Sequence, residues 1–164
     1  YGNVIGSRGS VIPIFLKFKN SKNKIVPITH KSMTRFIITL ENGVNFVLSS
    51  LGLMNGGEIF VPKIPSLKII DLAKAIVPNH KIKYIGIRRG EKLHELLLSE
   101  DESSQVMESK DRYIINSPFV KNKNNPKLKL KKVLNSFAYS SELKDSLLNP
   151  KEVKKIYIDN TVKL

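Results

Sequence analysis

The sequence of 164 residues has no cysteine and no tryptophan, only 3 histidines, and 14 acidic residues against 28 basic ones. The missing thiols exclude a disulfide framework and any cysteine-ligated metal, and they fit a reducing compartment. His30, His80 and His94 are too scattered for a local metal-ligand spacing. No apolar run approaches the roughly 20 residues of a membrane span, so no membrane contact is expected of this stretch; the expected location is cytoplasmic. The deficit of acids leaves a formal charge of +14, which speaks of anionic partners and not of fold. Much of the excess is local, because six lysines and no acid fall between Lys121 and Lys132. Aromatic residues make up only 7% of the chain and do not accompany these lysines. Base stacking is therefore poorly supplied, and a solvated face or loose connection is the simpler reading than a nucleic-acid site.

What is present is enough for one compact domain, with 41% hydrophobic residues. Gly6 to Gly9 reads as a glycine-bearing turn, and Ser10 as the cap of a helix running to about Phe18 with Pro13 in its first turn. Phe36 to Ile38 is a strand candidate, and Thr39 a cap for a helix whose Val44, Val47, Leu48 and Leu51 share one face, expected to be core. Asn55-Gly56-Gly57 breaks the chain before a strand over Glu58 to Val61. Ser66 is then expected to cap a helix with Ile69, Ile70, Ala73 and Ile76 buried, stopped by Pro78. A strand over Ile82 to Ile87 ends at Arg88, Glu91 to Leu98 reads as helix, and Tyr113 to Ile115 as strand. Further helices are expected at Glu142 to Leu148 and from about Glu152. Strands alternating with helices make an α/β layer fold, with a soft boundary near residue 118.

Candidate chemistry concentrates in three stretches. The loop before the first helix ends at an N-terminus whose free amides suit an anion or a carbonyl. Arg88 follows an apolar strand and Glu91 lies three residues on, so both can face one cleft, where a guanidinium can fork onto a diphosphate. Taken separately, Arg88 and Glu91 make a surface ion pair, Asn3 bonds its own turn, Thr29 and His30 are an exposed polar pair, and Met33 is a core or rim contact.

Their joint order carries more. Tyr-Gly-Asn-Val-Ile-Gly-Ser-Arg-Gly-Ser, Met-Thr-Arg-Phe, Gly-Gly-Glu-Ile-Phe-Val-Pro-Lys-Ile-Pro-Ser and Gly-Glu-Lys-Leu-His-Glu follow one another over residues 1 to 115. This order resembles the inverting UDP-N-acetylglucosamine 4,6-dehydratases, extended short-chain dehydrogenase/reductases of bacterial glycan pathways such as that to pseudaminic acid. The resemblance implies an α/β fold that is the C-terminal, mainly substrate-binding part of a Rossmann-type enzyme. Residues 1–118 would be that part, and 119–164 a lysine-rich extension with short helices.

It further implies UDP-N-acetylglucosamine as substrate and NADP as cofactor. Asn3, Val11, Thr29, Arg88 and Glu91 would contact the UDP-sugar, with Arg35 a further phosphate or ribose contact. Val4, Ile5, Gly6, Ser7 and Arg8 would line the nicotinamide side. The family's glycine-rich fingerprint, acid/base pair and Tyr-x-x-x-Lys dyad are not in this sequence, so it carries no catalytic acid or base. An N-terminal nucleotide-binding half is the expected missing partner, and a homo-oligomer the expected state of the complete enzyme. Arg89 stands where the family usually has proline. The readings left open are a related UDP-sugar 4-epimerase or retaining dehydratase, a basic nucleic-acid-binding module, and an inactive remnant that associates through an uncovered apolar face.

Overall fold

A computed structural model describes residues 2–7, 10–117 and 128–161. Arg8, the boundary expected near residue 118, and Lys121, Lys123 and Lys127 lie outside the described residues. In chain order the elements are β1 (Asn3–Val4), α1 (Val11–Lys19), β2 (Ile25–Ile28), β3 (Thr34–Ile38), α2 (Leu40–Leu51), β4 (Ile59–Pro62), β5 (Ser66–Lys68) and α3 (Ile69–Ile76). Then come β6 (Lys81–Tyr84), β7 (Leu96–Leu98), a 3₁₀ turn (Glu100–Gln105), β8 (Val106–Glu108), β9 (Arg112–Ile115), β10 (Lys131–Lys132), β11 (Tyr139–Ser140) and α4 (Pro150–Thr161). They fall into two compact units that interleave in sequence.

The mixed-sheet unit comprises Gly2–Thr39, Ile64–Glu95 and Ser141–Leu164. In it β3 lies between β1, which it meets in parallel, and β5, which it meets antiparallel, while β2 and β6 form a separate parallel pair. One apolar core joins α1 (Ile12, Phe15) and α3 (Leu72, Ile76) to the strands, and α4 adds the fully buried Val153. Close packing also fixes Gly2. A Cβ there would lie 2.6 Å from Ile64 Cδ1 and 2.9 Å from Phe36 Cβ, closer than packed carbons approach.

The antiparallel unit comprises Leu40–Lys63 and Leu96–Ser140. Its main sheet has the order β10-β8-β9-β4, all neighbours antiparallel, and β7 pairs separately with β11. Arg112 on β9 is only 4% exposed. A buried guanidinium is tolerable only when paired and hydrogen-bonded. Its Nε and Nη2 donate to the two Asp111 carboxylate oxygens at 3.1 and 2.7 Å, Nη1 donates to Ser50 Oγ at 3.0 Å, and Nη2 also donates to Ser49 Oγ at 2.9 Å. The guanidinium lies over the Phe46 ring at 4.6 Å. Strand β9 is thereby tied to the last turns of α2.

Three local expectations give way to tertiary pairing. Ser66 does not cap a helix; it pairs with Phe36 in β5, and the helix begins at Ile69. Glu91 to Leu98 is not helical, since Leu96–Leu98 pair with β11 and the residues before them are drawn onto Arg35. Glu142 to Leu148 forms turns, because Ser66 N–H donates to Ser146 O at 2.7 Å and Leu148 N–H to Ser66 O at 2.9 Å. Helix α2 forms where its apolar spacing places it, yet none of its residues is buried, and Val44, Val47, Leu48 and Leu51 are exposed. Periodicity fixes which side chains share a face, not whether anything covers it.

Candidate functional site

Every described residue assigned to a site by the sequence falls in the mixed-sheet unit. Asn3, Val4, Ile5, Val11 and Arg35 line one pocket. Topology explains the convergence. Val4 ends β1 at the carboxyl edge of the parallel pair with β3, and the chain turns over Ile5-Gly6 with Ser7 N–H donating to Val4 O at 3.2 Å. Gly6 has φ +77°, a left-handed value that a side chain resists. The turn leads into α1, which puts Ser10, Val11 and Ile12 on the same pocket.

Thr29, Arg88 and Glu91 do not line that pocket. They belong to the carboxyl edge of the parallel pair β2/β6, where Ile28 faces Tyr84 and Ile85 N–H donates to Ile28 O at 3.0 Å. The carboxyl ends of parallel strands are where open α/β sheets bind ligands. Thr29 itself donates its hydroxyl to Met33 Sδ at 3.1 Å, and Met33 is buried.

The Arg88-to-Glu91 segment is a tight turn closed by Glu91 N–H to Arg88 O at 3.0 Å, with Gly90 at φ +82°. Arg89 sits at the turn position where proline is favoured, so the turn survives without it. Glu91 Oε2 accepts the Arg88 N–H at 3.2 Å, so the carboxylate reaches the Arg88 backbone and the two make no side-chain ion pair among the described residues. The Arg88 side chain is exposed.

Arg35 links the two groups. Its Nη1 donates to Thr34 O and Leu93 O at 2.7 and 3.2 Å, and Nη2 to Lys92 O at 2.8 Å. Nε lies 3.3 Å from Glu95 Oε1, and Nη2 4.0 Å from Glu91 Oε1. With its donors committed to carbonyls and carboxylates, Arg35 staples the 91–95 segment, and its contact with an incoming phosphate would have to compete with these bonds.

A second staple was not foreseen from sequence. Thr34 Oγ1, on a residue 2% exposed, lies 2.8 Å from His94 Nδ1 and 2.7 Å from Ser141 Oγ, which in turn accepts the Glu95 N–H at 2.9 Å. His94 within Gly-Glu-Lys-Leu-His-Glu was the signal that could have found it. Among the described residues no cluster of His, Asp or Glu is arranged to hold a metal ion.

The three carboxylates whose acidity is shifted all lie in the antiparallel unit. Asp111 is held below the usual carboxylate value chiefly by the Arg112 hydrogen bonds. Glu102 is lowered first by the Ser99 backbone N–H, which it accepts at 2.8 Å. Burial works to raise Glu58, but the N–H groups of Glu58, Asn55 and Gly56 together outweigh it.

Comparison with known proteins agrees with this architecture. The structure of Pen from Bacillus thuringiensis is similar to it, with a TM-score of 0.83 and 32% identity over 98% of this chain and 49% of that one. The protein has an α/β fold, that of the C-terminal portion of an extended short-chain dehydrogenase/reductase. Residues 1–117 match the family described as polysaccharide biosynthesis protein, and the chain belongs to that family. An inverting UDP-N-acetylglucosamine 4,6-dehydratase of Campylobacter jejuni subsp. jejuni serotype O:2 is 48% identical over 163 residues, covering 95% of this chain and 49% of its own length. A UDP-glucose 4-epimerase of Rickettsia conorii is 41% identical over 119 residues, covering 70% of this chain and 35% of its own. The chain spans about half the length of the dehydratase it matches and less of the epimerase.

Proposed function

We propose that the chain is the substrate-binding portion of an NADP-dependent, C5-inverting UDP-N-acetylglucosamine 4,6-dehydratase of bacterial glycan synthesis, working in the cytoplasm. The observation that carries this reading is the 48% identity to such an enzyme along 95% of the chain, against 70% coverage for the epimerase. In this reading the exposed Arg88 guanidinium takes the diphosphate. Glu91, held by the Arg88 amide and facing Arg35, accepts sugar or ribose hydroxyls, while Asn3 and Val11 meet the hexose.

The Val4–Ser7 turn fits the nicotinamide end of the cofactor, since Gly6 removes the Cβ that would hold a flat ring away and Ile5 offers an apolar face beside Asn3. NADP, when bound, supplies a hydride acceptor regenerated within each turnover. The acid, the base and the remaining cofactor contacts come from the other half of the protein. The exposed stripe of Leu40, Val44, Val47, Leu48 and Leu51 on α2 offers that half an apolar surface to cover, and the complete protein forms a homo-oligomer.

The test is turnover of UDP-N-acetylglucosamine by the full-length protein, followed by NMR and mass spectrometry. Loss of one water with a new sugar methyl signal and inverted C5 is expected. A product of unchanged mass with inverted C4 would instead make it an epimerase. In the same protein, Arg88→Ala is expected to weaken UDP-sugar binding by about 1–3 kcal/mol, the scale of a charged hydrogen bond. Unaltered affinity would remove Arg88 from the site.

A further inference from the structure

Residues 85–95, between β6 and β7, belong to no helix or strand, and the Arg88–Glu91 turn lies within them. A backbone without its own ladder must find partners elsewhere. On the β6 side the segment is held by Ile85 N–H, which donates to Ile28 O at 3.0 Å. On the far side Arg35 takes the carbonyls of Lys92 and Leu93, and Thr34 N–H donates to Leu93 O at 3.2 Å. Ser141 takes both main-chain groups of Glu95. Its N–H donates to Glu95 O and its Oγ accepts the Glu95 N–H, each at 2.9 Å. Ser141 lies beyond residues 1–117, the part that the family model matches. One anchor of the turn is therefore supplied by the C-terminal segment.

Counting protons gives this anchor a direction. Ser141 is 0% and Thr34 2% exposed, so each hydroxyl hydrogen needs an acceptor from the protein. Ser141 Oγ and Thr34 Oγ1 are 2.7 Å apart, and one donates to the other. If Thr34 donates, the Ser141 hydrogen has no acceptor among the described residues, because the other bond of that oxygen is the one it accepts from Glu95. If His94 Nδ1 carries a proton and donates to Thr34, one of the two hydroxyl hydrogens is again left over. A single arrangement satisfies every group. Ser141 O–H donates to Thr34 Oγ1, Thr34 O–H donates to His94 Nδ1, and the ring proton sits on Nε2, which lies 3.4 Å from Glu142 Oε2.

We propose that Ser141, Thr34 and His94 form a one-way hydrogen-bond relay, with His94 in the Nε2–H tautomer, that positions the Arg88–Glu91 turn for its ligand. The three are positioning residues. They touch no ligand themselves, and they fix where the chain leaves Glu91, so that Arg88 and Glu91 are set before binding and less ordering is left to be done by the ligand. The identity of that ligand rests on the dehydratase reading above. The relay gives the segment after residue 117 a part in the site, and it requires an acceptor at residue 94 in addition to the ring's bulk.

Two measurements on the full-length protein test this. Nitrogen NMR of the His94 ring is expected to show Nε2 protonated and Nδ1 bare, and a protonated Nδ1 overturns the relay. Calorimetry with UDP and turnover of UDP-N-acetylglucosamine then compare Thr34→Val, which keeps the shape and removes the hydroxyl, with Thr34→Ser, which keeps the hydroxyl. Thr34→Val is expected to weaken UDP binding and raise KM by about 10-fold at unchanged kcat, the scale of leaving a buried polar group unpaired. Thr34→Ser should behave as the wild type. A protein that is only destabilised loses active fraction, and hence kcat, at unchanged KM. Unaltered UDP affinity in Thr34→Val, or an equal loss in Thr34→Ser, overturns the positioning role. Should Thr34→Val fail to fold, His94→Asn, whose amide oxygen can accept the Thr34 O–H, is compared with His94→Leu, which has no acceptor. Only His94→Leu should lose UDP affinity, and equal affinity in the two overturns the role. Turnover separates the premises. A protein whose UDP binding falls in Thr34→Val but which does not dehydrate UDP-N-acetylglucosamine refutes the dehydratase reading and leaves the relay supported. One that dehydrates it, with Thr34→Val at the wild-type KM, refutes the relay alone.

Discussion

The two units of this chain are held together by different physics. The mixed-sheet unit has an interior of hydrocarbon, from Ile12 and Phe15 on α1 through Leu67 to Val153 on α4, where each large buried side chain is worth about 1.5–3 kcal/mol. The antiparallel unit buries fewer large apolar groups and adds a charged clamp, Arg112 on Asp111, Ser49 and Ser50, while the apolar stripe of α2 faces water. The pocket and every residue lining it are in the first unit. Directional bonds let the second unit hold a helix in place without covering its apolar face.

The sharpest way to break this contrast is to remove the clamp. Arg112→Ala deletes four hydrogen bonds, two of them to the Asp111 carboxylate, and is expected to cost about 3 kcal/mol of stability, read from urea unfolding. Amide exchange should rise in Leu40–Lys63 and Leu96–Ser140 and not in the mixed-sheet unit. A loss under about 1 kcal/mol would mean that the clamp is ornament to a conventional apolar core.

Acid offers a smaller perturbation. Asp111, Glu102 and Glu58 are all lowered in the folded state. Their contribution is fully present above the unfolded carboxylate pKa of about 4 and is lost as pH falls through the folded values. As pH falls below the ordinary carboxylate value of about 4, exchange in the antiparallel unit should accelerate before exchange in the mixed-sheet unit. Simultaneous loss in both units would contradict the unequal electrostatic design.

The smallest expected effect sharpens the other side of the comparison. Arg89→Pro places proline at the favoured position of the Arg88–Glu91 turn and should stabilise the mixed-sheet unit by about 0.4–1 kcal/mol through the unfolded chain. Destabilisation would show that the Arg89 backbone is incompatible with proline.

Much of this molecule was legible in advance. Helix α1 follows from Ser10 and an early Pro13, and α2 and α3 follow from apolar spacing. Motif order grouped Asn3, Val11, Thr29, Arg35, Arg88 and Glu91; of these Asn3, Val11 and Arg35 line one pocket, and Thr29, Arg88 and Glu91 do not. The misreadings share a cause. Ser66 carries a helix-cap signal, but its neighbours satisfy their amides in a strand beside Phe36. Leu96–Leu98 fits either period over so short a run, and pairing with Tyr139–Ser140, more than 40 residues away, chose strand. Arg112 gave one faint cue, a charge opening the apolar run Tyr113-Ile114-Ile115.

By itself the sequence determined the family order of motifs, the glycine turns at Gly6 and Gly90, and the faces of the helices, because these depend on local sterics and on spacing along one chain. Only the tertiary structure decided that Arg35 binds loop carbonyls, that the α2 stripe stays exposed, and that α4 walls the pocket. Those outcomes depend on which donors and surfaces meet across long separations, and the partner that satisfies a buried group is not written in its neighbours.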